Sequence, residues 1–144
     1  SAGHGALTAP LSDFVVMTQA ASMFVAGPPL VKAALGEVVT KEELGGPQVH
    51  VVQSGVAHRL AEDDAAALAL ARDWLAYVPG NRREGEDTGR RALESILVLV
   101  SPDPRIPFDM RKLLAELVDA GSLFEIQPDH GGAIVAAPAR LGGQ

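Results

Sequence analysis

A chain of 144 residues, 47% hydrophobic, with 15 Gly and 10 Pro, has material for one ordinary core built from many short elements. A formal charge of −6 and a pI near 5.1 argue against nonspecific nucleic-acid binding. With no Cys there is neither a disulfide framework nor a thiolate metal site, and no apolar run reaches the roughly 18 residues of a membrane span. No signal peptide is visible, the first residue is not Met, and the chain reads as an excerpt of a longer protein.

The first fourteen residues open on small residues and one histidine, Ala2-Gly-His-Gly5, leading into a helix-compatible, Pro-containing segment. A glycine-rich turn at the start of a helix leaves backbone N–H groups pointing outward, where the dipole adds positive potential. Such a turn suits an anion that forms only during a reaction.

Residues 14–17 and 23–26 are short apolar runs that predict buried strands. Gly27-Pro-Pro29 breaks the second run and starts a helix over 30–35, with Gly36 as its C-terminal stop. Thr40 and Glu43 have the spacing of a capping box, and the short helix they open ends at Gly45-Gly46. Residues 49–53 predict a strand and Ser54-Gly55 a turn. Residues 62–77 predict a helix rich in Ala and Leu, capped by Asp63 or Asp64 and stopped by Pro79-Gly80.

Residues 81–91 are charged, contain Gly and lack an apolar period, so they predict an exposed linker. Residues 96–100 (Ile-Leu-Val-Leu-Val) predict a strand, and three prolines between 101 and 107 forbid regular structure. Residues 109–120 predict an amphipathic helix with Asp109 as N-cap and Gly121 as its end. Residues 123–126 and 133–137 predict two strands across a turn. This mixed order of strands and helices indicates an α/β arrangement.

Seven blocks now matter together, in this order. They are Ser1-Ala-Gly-His-Gly-Ala6, Leu11-Ser-Asp-Phe-Val-Val-Met17, Met23-Phe-Val-Ala-Gly-Pro-Pro-Leu-Val-Lys32, Glu42-Glu-Leu-Gly-Gly46, Ser54-Gly-Val-Ala-His58, Pro107-Phe-Asp-Met-Arg111 and Phe124-Glu-Ile-Gln127. Along the whole chain they resemble the carboxyltransferase (β) subunit of biotin-dependent acyl-CoA carboxylases of the propionyl-CoA, methylcrotonyl-CoA and acetyl-CoA type.

The resemblance implies a crotonase-like (ClpP/crotonase) spiral of ββα units, with the end of one domain and the start of a second. Residues 1–79 would be the C-terminal half of the N-terminal, acyl-CoA-binding domain. Residues 80–100 would be a linker, and 101–144 the start of the biotin-side domain. The implied reaction carries a carboxyl group from carboxybiotin to the α-carbon of an acyl-CoA through a thioester enolate. The implied partners are acyl-CoA, a biotin carboxylase with a biotin carboxyl carrier, and further copies of the chain, as a hexamer with N-domain to C-domain contacts. The implied compartment is the cytoplasm, or the mitochondrial matrix in a eukaryote.

By position in the motif, Gly3, His4 and Gly5 match the family's first oxyanion hole, made of backbone amides, while the second lies beyond Gln144. His4 is a departure, because many members have adjacent glycines here. The amide does not depend on the side chain, and the pair at work is either Gly3 with His4 or His4 with Gly5. The expected role of His4 is donation by its amide, with the imidazole packed or hydrogen-bonded nearby.

Other titratable residues read as structural. His50 is expected as a core or edge histidine, His58 with Glu62 as a cap or surface pair rather than a metal site, and His130 as solvent-exposed. Ser1 has no oriented His–Asp partner to make it a nucleophile. Two other functional classes fit the same turn. A crotonase-type hydratase or isomerase would need carboxylates facing the thioester, and Asp13 is the only one near. A non-catalytic assembly partner would keep the fold alone.

Overall fold

A computed structural model describes residues 1–80 and 94–143. The linker expected over 81–91 lies outside the described residues. The chain divides into two compact units, residues 1–74 with 127–134, and residues 75–126 with 135–144.

The first unit is organised around a two-stranded parallel sheet. Strand β1 (Val16–Thr18) pairs with β2 (Arg59–Ala61), Met17 opposite Leu60. Met17 of β1 joins Val15, Val51 and Ala57 in a small core, with Ala21 and Leu60 of β2 packed against it. The expected strand over 14–17 is thus present with shifted ends, and its partner was not anticipated. Residues 23–26 make a single parallel bridge, Phe24 to Ala2, rather than a strand of their own.

Helix α1 (Pro28–Leu35) begins at the expected prolines and stops at Gly36, whose φ is 76°. Helix α2 (Lys41–Gly45) carries the capping box. The Glu43 amide donates to Thr40 Oγ1 at 3.1 Å and the Thr40 amide donates to Glu43 Oε2 at 2.8 Å. Residues 49–53, expected as a strand, form a π-helical turn instead (Gln48–Gln53). Pro47 precedes it in helical geometry, the amides of Val49 and His50 both donate to the Gly46 carbonyl, and Val51 is driven into the core at 1% exposure. A five-residue segment has no period long enough to separate helix from strand, and here the tight turn after α2 decided it.

Helix α3 (Asp64–Leu75) follows, with Asp63 Oδ1 accepting the Ala66 amide at 2.8 Å. Segment 127–134 completes the unit. The Gln127 amide donates to the His58 carbonyl at 3.0 Å, its side-chain amide donates to the Gly55 carbonyl, and His130 Nδ1 donates to the Val52 carbonyl at 2.8 Å.

In the second unit, the run expected as a strand over 96–100 is helix α4 (Glu94–Leu99). It packs against α5 (Met110–Leu117), with Ser95 Oγ donating to Glu116 at 2.9 Å. Asp109 caps α5 as expected, by accepting the Arg111 amide at 2.9 Å, but the helix ends three residues earlier than its pattern suggested. The two expected strands reduce to one antiparallel bridge, Ile126 to Ala136, extended by the Phe124 amide donating to the Pro138 carbonyl at 3.0 Å. Arg111 grips Glu125 through Nε and a terminal nitrogen at 2.6–2.9 Å, tying two of the seven sequence blocks together. Asp119, 2% exposed, accepts the amides of Gly142 at 2.8 Å and Gly143 at 2.6 Å.

Candidate active site

The glycine turn is the start of a 3-10 helix (Gly3–Leu7), followed by a second short one (Ala9–Leu11). Its conformation comes from an anchor. Gly3, at φ 65°, donates its amide to the Phe24 carbonyl at 3.1 Å, and Phe24 donates to the Ser1 carbonyl at 3.2 Å. Gly3's N–H is therefore spent on holding the turn against residues 23–26. His4 and Gly5 come next and are exposed. No side chain caps this helix, and first-turn amides lack a full set of carbonyls one turn back.

Immediately after Gly5 the chain turns inward. Ala6 is 4% exposed and, with Leu7, begins the wall of a cleft of about 320 Å³. Met23 and Phe24 from the anchoring segment, Val31 of α1, Leu44 of α2 and Val56 continue that wall. Among the described residues His50 is its one ionisable lining residue. The π-helical turn aims the ring at the Met23 backbone, and Nε2 donates to the Met23 carbonyl at 2.6 Å, with Ser54 Oγ 3.4 Å from Nδ1. His50 is thus a wall residue fixed by hydrogen bonds, on a helical turn and not on the expected strand. Among the described residues no Asp or Glu lines the cleft, and the exposed Asp13 stands outside its lining.

His58 has a structural task. Its Nδ1 accepts the Val15 amide at 2.8 Å, and its ring stacks on Phe14 at 5.7 Å, with Trp74 on Phe14's other partner contact at 5.1 Å. Burial lowers its pKa below the ordinary value, because a charged imidazole is poorly solvated there. Glu62, expected to pair with it, is exposed. Among the described residues no group of three or more His, Asp or Glu is placed to hold a metal ion. His130, expected in solvent, is half-buried against Gly55, on which an added Cβ would meet the ring at 2.5 Å. The cleft and the Gly3 anchor have no local signature, since they join residues about twenty apart that no short motif connects.

The profile of the carboxyl transferase domain matches residues 1–144. The chain belongs to the carboxyl transferase family. It is 37% identical, over 99% of its length, to the methylmalonyl-CoA decarboxylase subunit alpha of Veillonella parvula, of which it covers 30%. It is 34% identical to the methylmalonyl-CoA carboxyltransferase 12S subunit of Propionibacterium freudenreichii subsp. shermanii, covering 99% of this chain and 28% of that one. Among solved structures it resembles transcarboxylase 12S with hydrolysed methylmalonyl-CoA bound, at a TM-score of 0.86 and 33% identity, over 99% of this chain and 29% of that one. That protein is described as a hexamer. This carboxyl transferase chain therefore has the crotonase-like α/β fold, and it spans about 30% of the length of the curated relatives it matches. Among its described residues no helix is long and apolar enough to cross a membrane.

Proposed function

We propose that the chain works within the carboxyltransferase component of a biotin-dependent acyl-CoA carboxylase, joining a carboxyl group to the α-carbon of an acyl-CoA. The observation that carries this reading is the family match over residues 1–144, and a glycine turn that opens beside an apolar cleft gives it a site. In this reading residues 1–79 close the acyl-CoA-binding domain, 80–100 link, and 101–144 begin the biotin-side domain. The change of packing unit after Trp74 supports the first of these boundaries.

When the α-proton leaves the thioester, the C–H electron pair moves into the enolate and its oxygen gains charge. The His4 and Gly5 amides, set before reaction by the Gly3–Phe24 anchor, donate to that oxygen. The pair then forms the new C–C bond and the oxygen returns to a carbonyl. The carboxyl group, and the base for the α-proton, are supplied by carboxybiotin brought on a carrier protein; no residue of this chain is assigned to it. The chain's own part is to bind, orient and stabilise the charge on the oxygen. A biotin carboxylase with its carrier, and hexameric self-assembly, complete the proposed machinery, in the cytoplasm or, for a eukaryotic source, the mitochondrial matrix.

A hydratase or isomerase of the same fold moves protons with carboxylates, and the cleft wall holds none, which favours carboxyl transfer. The test is transfer of labelled CO2 from a carboxylated carrier to acyl-CoA by the full-length protein. His4→Pro deletes one amide at a position where proline suits a helix's first turn; a fall of about 10²–10³ in kcat is expected, with His4→Gly retaining most activity. Collapse in His4→Gly, with folding unchanged, would refute a backbone-only role. Wild-type protein inert with every acyl-CoA would leave the assembly-partner reading.

A further inference from the structure

The cleft beside the glycine turn has a chemistry that carboxyl transfer by itself does not require. Its wall comes from six separate stretches, among them Leu7, Phe24, Val31 and Leu44, and is aliphatic or aromatic almost throughout. The exception, His50, has its Nε2 occupied by the Met23 carbonyl at 2.6 Å. A polar ligand entering here would lose its water and find almost nothing in exchange, whereas a hydrocarbon loses nothing. The position matters too. Ala6 and Leu7 line the cleft and directly follow His4 and Gly5, which sets the cleft beside the glycine turn.

Volume sets the length. A dry cavity of about 150 Å³ holds the six carbons of benzene. At about 320 Å³ the cleft has room for roughly twice that, and a propionyl tail would leave most of it empty. Resting on the carboxyl-transfer reading, we propose that this cleft receives the hydrocarbon tail of a medium-length acyl-CoA, on the order of six to ten carbons. The acyl group is then selected by apolar contact, and Val31 and Leu44 set its length.

The experiment uses the full-length protein with its biotin carrier and measures kcat/KM for propionyl-, hexanoyl-, octanoyl- and decanoyl-CoA. Each buried methylene is worth roughly four-fold, so a KM for octanoyl-CoA at least ten-fold below that for propionyl-CoA is expected. Val31→Phe or Leu44→Phe, which fill the cleft, should lower the octanoyl-to-propionyl ratio of kcat/KM by at least ten-fold. Preference of the wild type for propionyl-CoA, or a ratio that neither variant changes, overturns the proposal; either means that another part of the protein fills the cleft. Calorimetry on the wild type gives a readout free of variant misfolding and of turnover. Octanoyl-CoA binding more than ten-fold tighter than CoA supports the cleft assignment even if no carboxyl transfer is found, in which case only the reaction reading falls. Equal binding of octanoyl-CoA and CoA overturns the cleft assignment while leaving carboxyl transfer standing.

Discussion

Replacing Gly45 by alanine tests the chain of contacts that sets the site. Gly45 is buried at the end of α2 and its carbonyl accepts the Met23 amide at 2.8 Å. A Cβ built there would stand 2.0 Å from the Met23 carbonyl oxygen, 2.8 Å from the carbonyl carbon and 3.1 Å from His50 Nε2. The two nearest atoms are backbone, so the segment around Met23 must move until that 2.0 Å exceeds the 3.0 Å below which such contacts do not occur. The move breaks the Met23–Gly45 bond and the His50–Met23 bond. Two lost hydrogen bonds cost about 1 kcal/mol each, and forcing atoms into a packed region adds about 1–3 kcal/mol. The sum, about 3–5 kcal/mol, is a large part of a stability of about 5–15 kcal/mol.

The same move shifts Phe24, whose carbonyl holds Gly3, so carboxyl transfer should fall further than stability alone explains. The assay is urea unfolding of the full-length protein, read as a midpoint change at constant slope, beside kcat under conditions where the variant is folded. Gly36→Ala is the control. Its Cβ meets nothing within 4 Å, so only the left-handed backbone is strained, at about 1 kcal/mol, and the site should not change. A Gly45→Ala loss below 1 kcal/mol, or a folded Gly45→Ala with wild-type kcat, would refute the argument that packing at Met23 positions the amides.

Three further outcomes follow from particular bonds. Burial lowers the pKa of His58 below the ordinary 6.5, so on acidification the unfolded chain takes up this proton before the folded one. Its effect is absent above about pH 6.5 and becomes a loss of stability as pH falls below that value. Unfolding midpoints at pH 8 and pH 5.5 should differ more in the wild type than in His58→Gln; equal differences would remove His58 from the account. Removing the buried carboxylate in Asp119→Ala leaves the Gly142 and Gly143 amides without their acceptor, at about 3–6 kcal/mol from two bonds to a charged group, measured as an unfolding midpoint. Gly55→Ala drives a Cβ into the His130 ring and should release segment 127–134, seen as faster hydrogen exchange at the Gln127 amide with little change in α3.

Features held within four or five residues were legible from the chain alone. The Thr40–Glu43 box, the prolines opening α1, the stop at Gly36, the Asp109 cap and the body of α3 each depend on neighbours one turn away. The seven ordered blocks also placed the chain in its family, which the profile over residues 1–144 bears out. Two short segments, 49–53 and 96–100, became a π-helical turn and α4 because five residues carry no period that separates strand from helix.

The arrangement of the site was decided elsewhere. Gly3, His4 and Gly5 look equivalent as a string of small residues and one histidine, yet the Gly3 amide is donated to the carbonyl of Phe24, twenty-one positions on. The cleft likewise exists only where the two 3-10 turns, α1, α2 and the π-helical turn meet. Local sequence settles which torsions are cheap, and tertiary contacts between distant segments settle which amides are already used and which apolar surfaces are left to enclose a space.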